Sequence, residues 1–214
     1  MTFTGWPMAA VDFYDGLEED NSKSYWTANK DVYDVSVRAP MDALLASVVA
    51  EFGVGKVFRP YRDVRFSKDK TPYKTHIGAL VRDDDGRAFY VQMSAAGLRA
   101  GAGSYHPDPA AIERARKAID DPVTGTELEQ IVTDLERGGI SFGGEAVATA
   151  PRGYSRDHPR IRLLRQKSFY VWREWPVEPW LATPDARDRV VDTWRESRPL
   201  LEWLLRHLGA AASR

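Results

Sequence analysis

The segment IGALVRDDDGRAFYVQM, residues 77–93, decides the fold class. Ile77 to Val81 and Ala88 to Met93 are short, rich in β-branched and aromatic residues, and change the apolar spacing to two. Asp83-Asp84-Asp85-Gly86 between them supplies turn-forming side chains and a glycine that tolerates positive φ, so the two runs read as a β-hairpin. Downstream, Leu98 to Ala102 reads as a third strand turned by Ala96-Gly97. Gly101 and Gly103 in that strand mark a bulge or a close approach of another group to the backbone. Ser168 to Trp172 reads as a further strand.

Helices flank this core. Met41, Leu44, Leu45, Val48, Val49 and Phe52 recur at helical spacing and stop at Gly53. Upstream, Thr4 is expected to cap a first helix carrying Pro7 and ending near Glu19, and Asn21 or Ser22 a second. Pro107 to Ile119 and Thr126 to Arg137 read as helices capped by Asp108 and Thr124, the latter closed by Gly138-Gly139. A short helix follows His158-Pro159, and Thr183-Pro184 opens a C-terminal helix bent at Pro199, with Leu201, Leu204, Leu205 and Leu208 on its buried face. Residues 141–153 are rich in glycine and alanine and carry no clear period. The expected fold is α+β: a single domain over residues 1–214, with a mostly antiparallel sheet covered by helices. Strands are expected near 57–66, 75–82, 87–94, 97–103 and 167–174.

Composition excludes several chemistries. The 214 residues contain no cysteine, which removes disulfides, thiolate metal sites and cysteine nucleophiles. A net charge of −1 argues against coating nucleic acid or membrane by bulk electrostatics. The first residues show no basic segment followed by an apolar run, and no window is long enough to span a bilayer, so a cytoplasmic protein without membrane contact is expected. No histidine spacing suits a metal, and no G-x-S-x-G or complete dinucleotide loop occurs, so no metal and no cofactor are expected.

Chemistry concentrates in RPYRDVRFSKDKTPYKTH, residues 59–76. From Lys56 to His76 there are seven Lys and Arg against two Asp. A second basic run holds Arg152, Arg156, Arg160, Arg162, Arg165 and Lys167 against Asp157. Two such runs in a nearly neutral chain suit an anionic ligand, because guanidinium forks match phosphate and carboxylate oxygens. The expected ligand set is Arg59, Arg62, Arg65, Lys68, Lys70, Lys74, Arg152, Arg165 and Lys167. His76 and His158 are the candidate acid–base groups, Asp63 orients the arginines, and Tyr73 offers a hydroxyl. The competing reading makes Asp63 the counter-ion of Arg62 or Arg65 in a folding network. A third makes the cations a surface stripe for nucleic acid. The favoured partner is an anionic small molecule; whether the protein is an enzyme stays open.

The same run, with Asn29-Lys30 and Tyr33 upstream and the later APRGY, DHPR and LLRQKS segments, resembles the DUF2461 family from Phe13 to Trp203. Arg59, Arg62, Asp63, Arg65, Phe66, Asp69, Lys70 and Tyr73 match its signature. The family is of unknown function, so the resemblance implies positions and no activity. Thr149 stands where the family pattern tends to be basic.

Overall fold

A computed structural model describes residues 2–65 and 69–209. Among them, six strands form an antiparallel sheet: β1 (Val54–Val57), β2 (His76–Arg82), β3 (Ala88–Ser94), β4 (Gly97–Ser104), β5 (Ser141–Gly143) and β6 (Phe169–Trp175). Their hydrogen-bonded order is β1-β2-β3-β4-β6-β5. Helices α1 (Met8–Glu19), α2 (Lys23–Ala28), α3 (Lys30–Val32) and α4 (Ala39–Phe52) precede the sheet, with a π-helical turn at Tyr33–Arg38. Helices α5 (Pro109–Asp120) and α6 (Pro122–Arg137) lie between β4 and β5 in sequence, and α7 (Ile161–Leu164) precedes β6. A 3-10 turn at Pro179–Ala182 leads to α8 (Asp185–Glu196) and α9 (Arg198–Leu208). The α+β class is therefore as expected.

The hairpin joining β2 and β3 forms at the Asp-Asp-Asp-Gly turn, with Gly86 at φ 85° and the Gly86 N–H donating to the Asp83 carbonyl. Four expected strands lie within two residues of β2, β3, β4 and β6. The fifth does not. In place of a strand over 57–66, β1 ends at Val57, and beyond it the pairing continues among the described residues through the Phe58 N–Gly78 O bond and the Tyr61–Tyr73 bridge. Pro60 and Pro72 have no N–H to donate, so each contributes only its carbonyl, to Lys74 N and Arg62 N respectively. Asp63 and Asp69 then draw the Arg65 and Thr71 N–H groups into local side-chain bonds, which compete with a ladder.

Other local expectations also shift. Thr4 caps nothing: Gly5 takes φ 104° and Trp6 N bonds to Leu181 O, so the chain stays extended until Pro7. Ser22 caps α2 by accepting from Tyr25 N. Helix α6 starts earlier than expected because Asp121, not Thr124, caps it, accepting from Val123 N and Thr124 N. The C-terminal helix breaks at Ser197 instead of bending at Pro199, which opens α9, and Leu205 is only half-buried there. In α4, Val49 is 45% exposed. At roughly 100° per residue it falls about 80° from Met41, on the edge of the apolar stripe.

The chain packs as two compact units: Met1–Arg82 with Tyr90–Ala100 and Glu174–Asp192, and Asp83–Phe89 with Gly101–Arg173 and Thr193–Arg214. The first buries Trp6, Phe13, Tyr14, Trp26, Tyr33, Met41, Leu44 and Phe52. In the second, α5, α6 and α9 bring Ala115, Ile119, Leu128, Val132, Trp203 and Leu204 into one cluster with Phe169 and Val171 of β6. Within that unit, a Cβ at Gly103 would collide with the Phe169 carbonyl oxygen, and one at Gly101 with that of Val171. This is the close approach that the two glycines announce.

Candidate functional site

The described parts of the 59–76 run, residues 59–65 and 69–76, are tied to one another by two backbone struts. Arg62 N donates to Pro72 O at 2.9 Å and Lys74 N to Pro60 O at 2.8 Å, closing the loop at its base. A third strut comes from the segment between α1 and α2. The Asn21 carboxamide donates to Tyr73 O at 3.1 Å and accepts from Tyr73 N at 3.0 Å. It thus imitates a neighbouring strand. The Tyr73 ring stacks on Trp26 at 4.4 Å with planes 5° apart, and Tyr61 and Tyr33 adjoin the stack.

Between the struts opens a cleft of about 390 Å³, lined by Arg62, Asp63, Lys74, Thr75 and His76. Arg62 is held on one side by Asp69 Oδ2 at 2.5 Å and by Thr71 Oγ1 at 2.7 Å. Asp69 is therefore the counter-ion of Arg62. Asp63 pairs instead with the exposed Arg65 at 2.6 Å. Side-chain and backbone bonds from Arg65 hold the Asp63 carboxyl down to about 2. Such a group stays ionised through the neutral range and is unsuited to proton exchange.

Lys74 and His76 differ from these satisfied ions. The Lys74 ammonium lies 5.3 Å from the centroid of Phe58 and has no carboxylate partner among the described residues. Burial, then the Arg59 charge, lower its pKa. The half-buried His76 has its pKa lowered by burial first, then by Lys74, Arg99 and Arg62. Its ring makes no hydrogen bond among the described residues. A neutral imidazole surrounded by cations is receptive to an anion, which would relieve the charge that disfavours its protonation.

The remaining expected residues divide. Arg59 is exposed beside the cleft, where its charge acts on Asp63 and Lys74. Lys70 donates to Val64 O at 2.9 Å. Lys68 lies outside the described residues. Tyr73 is buried in the aromatic stack, away from the cleft-lining set. In the second unit, His158 uses both ring nitrogens: Nε2 is 3.1 Å from Asp120 Oδ1, and Nδ1 accepts from Arg160 N at 3.0 Å. That geometry assigns the proton to Nε2 and makes the residue a structural link. Arg160 donates to the carbonyls of Ile119 and Asp120, and Arg162 pairs with Glu136. Arg165 donates to Val147 O, Lys167 pairs with Glu145 at 3.6 Å, and Arg152 is exposed.

Sequence reading passed over two residues that matter here. Arg99, on β4 and paired with Glu174, contributes to the potential at His76. Its alternation against buried Leu98 and Ala100 was the available signal. Asn21 was legible only as a helix cap.

A second depression of about 400 Å³, lined by Glu136, Gly139, Ile140, Ser141, Phe142 and Trp172, is less promising. Its one ionisable wall residue, Glu136, is already paired with Arg162. Among the described residues, no group of three or more His, Asp or Glu could hold a metal ion. No helix described is long and apolar enough to cross a membrane.

Comparison with curated proteins gives no match. A family model described as "Conserved hypothetical protein (DUF2461)" matches residues 9–203, nearly the whole chain, and the protein belongs to that family.

Proposed function

We propose that the cleft beside β2 binds a phosphorylated or carboxylated small molecule. Arg62 and Lys74 hold the anion, Arg59 draws it in, and His76 takes up or gives back a proton. One observation carries this reading: a partly desolvated ammonium with no carboxylate partner among the described residues and a deprotonation-biased imidazole line the same cleft. A purely structural ion network would pair Lys74 as it pairs Arg62 and Arg65. His158, Arg165 and Lys167 already have local partners and are left out of the binding set.

The test is a thermal-shift and calorimetric titration with inorganic phosphate, sulfate and acetate. A ligand at a hundred times its Kd stabilises by about 2.7 kcal/mol. Saturable binding that is lost in Lys74→Met, with the variant's own melting temperature nearly unchanged, supports the proposal. Absence of binding to any of these anions at low ionic strength overturns it.

A further inference from the structure

The sheet face beside the cleft continues past His76. Along β2, Ile77, Ala79 and Val81 face the core, while His76, Gly78 and Leu80 face the opposite side. On β3, Val91 and Met93 are buried, and Tyr90 and Gln92 are half-buried on that same opposite side. Contact between the strands confirms the shared face, because a Cβ at Gly78 would lie 2.7 Å from the Tyr90 hydroxyl. The missing side chain at Gly78 lets the Tyr90 phenol lie down on the sheet. Its ring is then 6.4 Å from that of half-buried Phe58, inclined at 33°. Phe58 is the ring over which Lys74 sits.

Two aromatic rings therefore adjoin the cationic cleft through Lys74. They are too close together to admit a third ring between them, so any contact is made on their outward side. Gln92 adjoins Tyr90 on this face. Tyr90 Oη is 2.8 Å from its Oε1, an arrangement that leaves the Gln92 Nε2 hydrogens without a partner among the described residues. Beside the anion site, the face offers an aromatic surface and an amide donor.

We infer that the ligand is an anion carried on a flat ring, with the ring seated against Phe58 and Tyr90 while its phosphate or carboxylate meets Lys74, Arg62 and His76. This rests on the anion site proposed above and narrows the class of molecule that fills it. Ring stacking of this kind adds about tenfold in affinity. Gln92 favours rings that carry an acceptor at one edge.

The experiment compares two matched pairs by calorimetry: phenyl phosphate against inorganic phosphate, and benzoate against acetate. The inference expects the ring-bearing member of at least one pair to bind about tenfold tighter, and the pair that binds identifies the anion. Tyr90→Ala should remove that gain and leave the affinity for the small anion unchanged. Gly78→Ala, which lifts the phenol without deleting it, should reduce the gain while circular dichroism confirms folding. Equal affinities within both pairs would overturn the ring assignment and leave the anion site standing. No binding of any of the four probes would overturn both.

Discussion

Replacing Asn21 by alanine is expected to loosen the backbone beside the cleft, although Asn21 is not among the cleft-lining residues. The side chain makes two bonds to the backbone of Tyr73, a residue only 4% exposed. Each bond contributes about 1 kcal/mol net, and their loss leaves a buried N–H and a buried carbonyl without partners. A destabilisation of about 2–3 kcal/mol follows. At roughly 2–4 °C per kcal/mol for a chain of this size, the melting temperature should fall by about 4–12 °C. Asn21→Asp keeps the acceptor for Tyr73 N and loses the donor to Tyr73 O, so it should fall between the two. Scanning calorimetry measures both shifts, and hydrogen exchange at the amides of residues 73–76 localises them. A shift below about 1 °C for the alanine variant, or faster exchange elsewhere but not there, would refute the reasoning.

His76 sets two pH dependences. Its pKa is depressed in the folded state, so on acidification the unfolded chain takes up the proton first. Stability is therefore untouched above the unfolded value and declines as the pH falls below about 6.5, a slope that His76→Gln should flatten in denaturant titrations. An anion in the cleft raises that pKa, so sulfate, which does not itself titrate here, should bind more tightly at about pH 6 than at about pH 8, and equally at both in His76→Gln. His158→Ala should lower stability by about 1–3 kcal/mol through loss of its two links, while sulfate affinity measured by calorimetry stays unchanged. Gly103→Ala combines φ 142° with a collision at the Phe169 carbonyl, and should give little soluble folded protein on expression.

The hairpin at residues 77–93 was readable because its cause is local: alternation on both arms and a turn that needs Gly86. The cap at Asp108 was readable for the same reason, with the side chain accepting from Ala111 N at 2.7 Å. Strand β1 was misplaced because alternating residue types in RPYRDVRF resemble a strand, whereas two prolines and two Asp-centred turns withdraw the donors a ladder requires. Strand β5 is three residues long and was invisible in a glycine-rich segment, because its pairing with β6 is a tertiary fact. The basic cluster was evident as charge. Which cations stay unsatisfied was not, since that depends on Asp69 folding back to Arg62 and on Glu145 and Glu136 reaching Lys167 and Arg162. Tyr73 shows the same limit from the other side, its hydroxyl-bearing ring being taken into a stack with Trp26 that no spacing rule foretells.

The two proline-supported struts have a consequence for how such a protein diversifies. Pairing at Pro60–Lys74 and Arg62–Pro72 seals the loop at its root, so the geometry of Lys74 and His76 is set below the seal. Lengthening the segment above it costs only about 0.6 kcal/mol per doubling. The segment between Arg62 and Pro72 can thus vary in length while Lys74 and His76 keep their place.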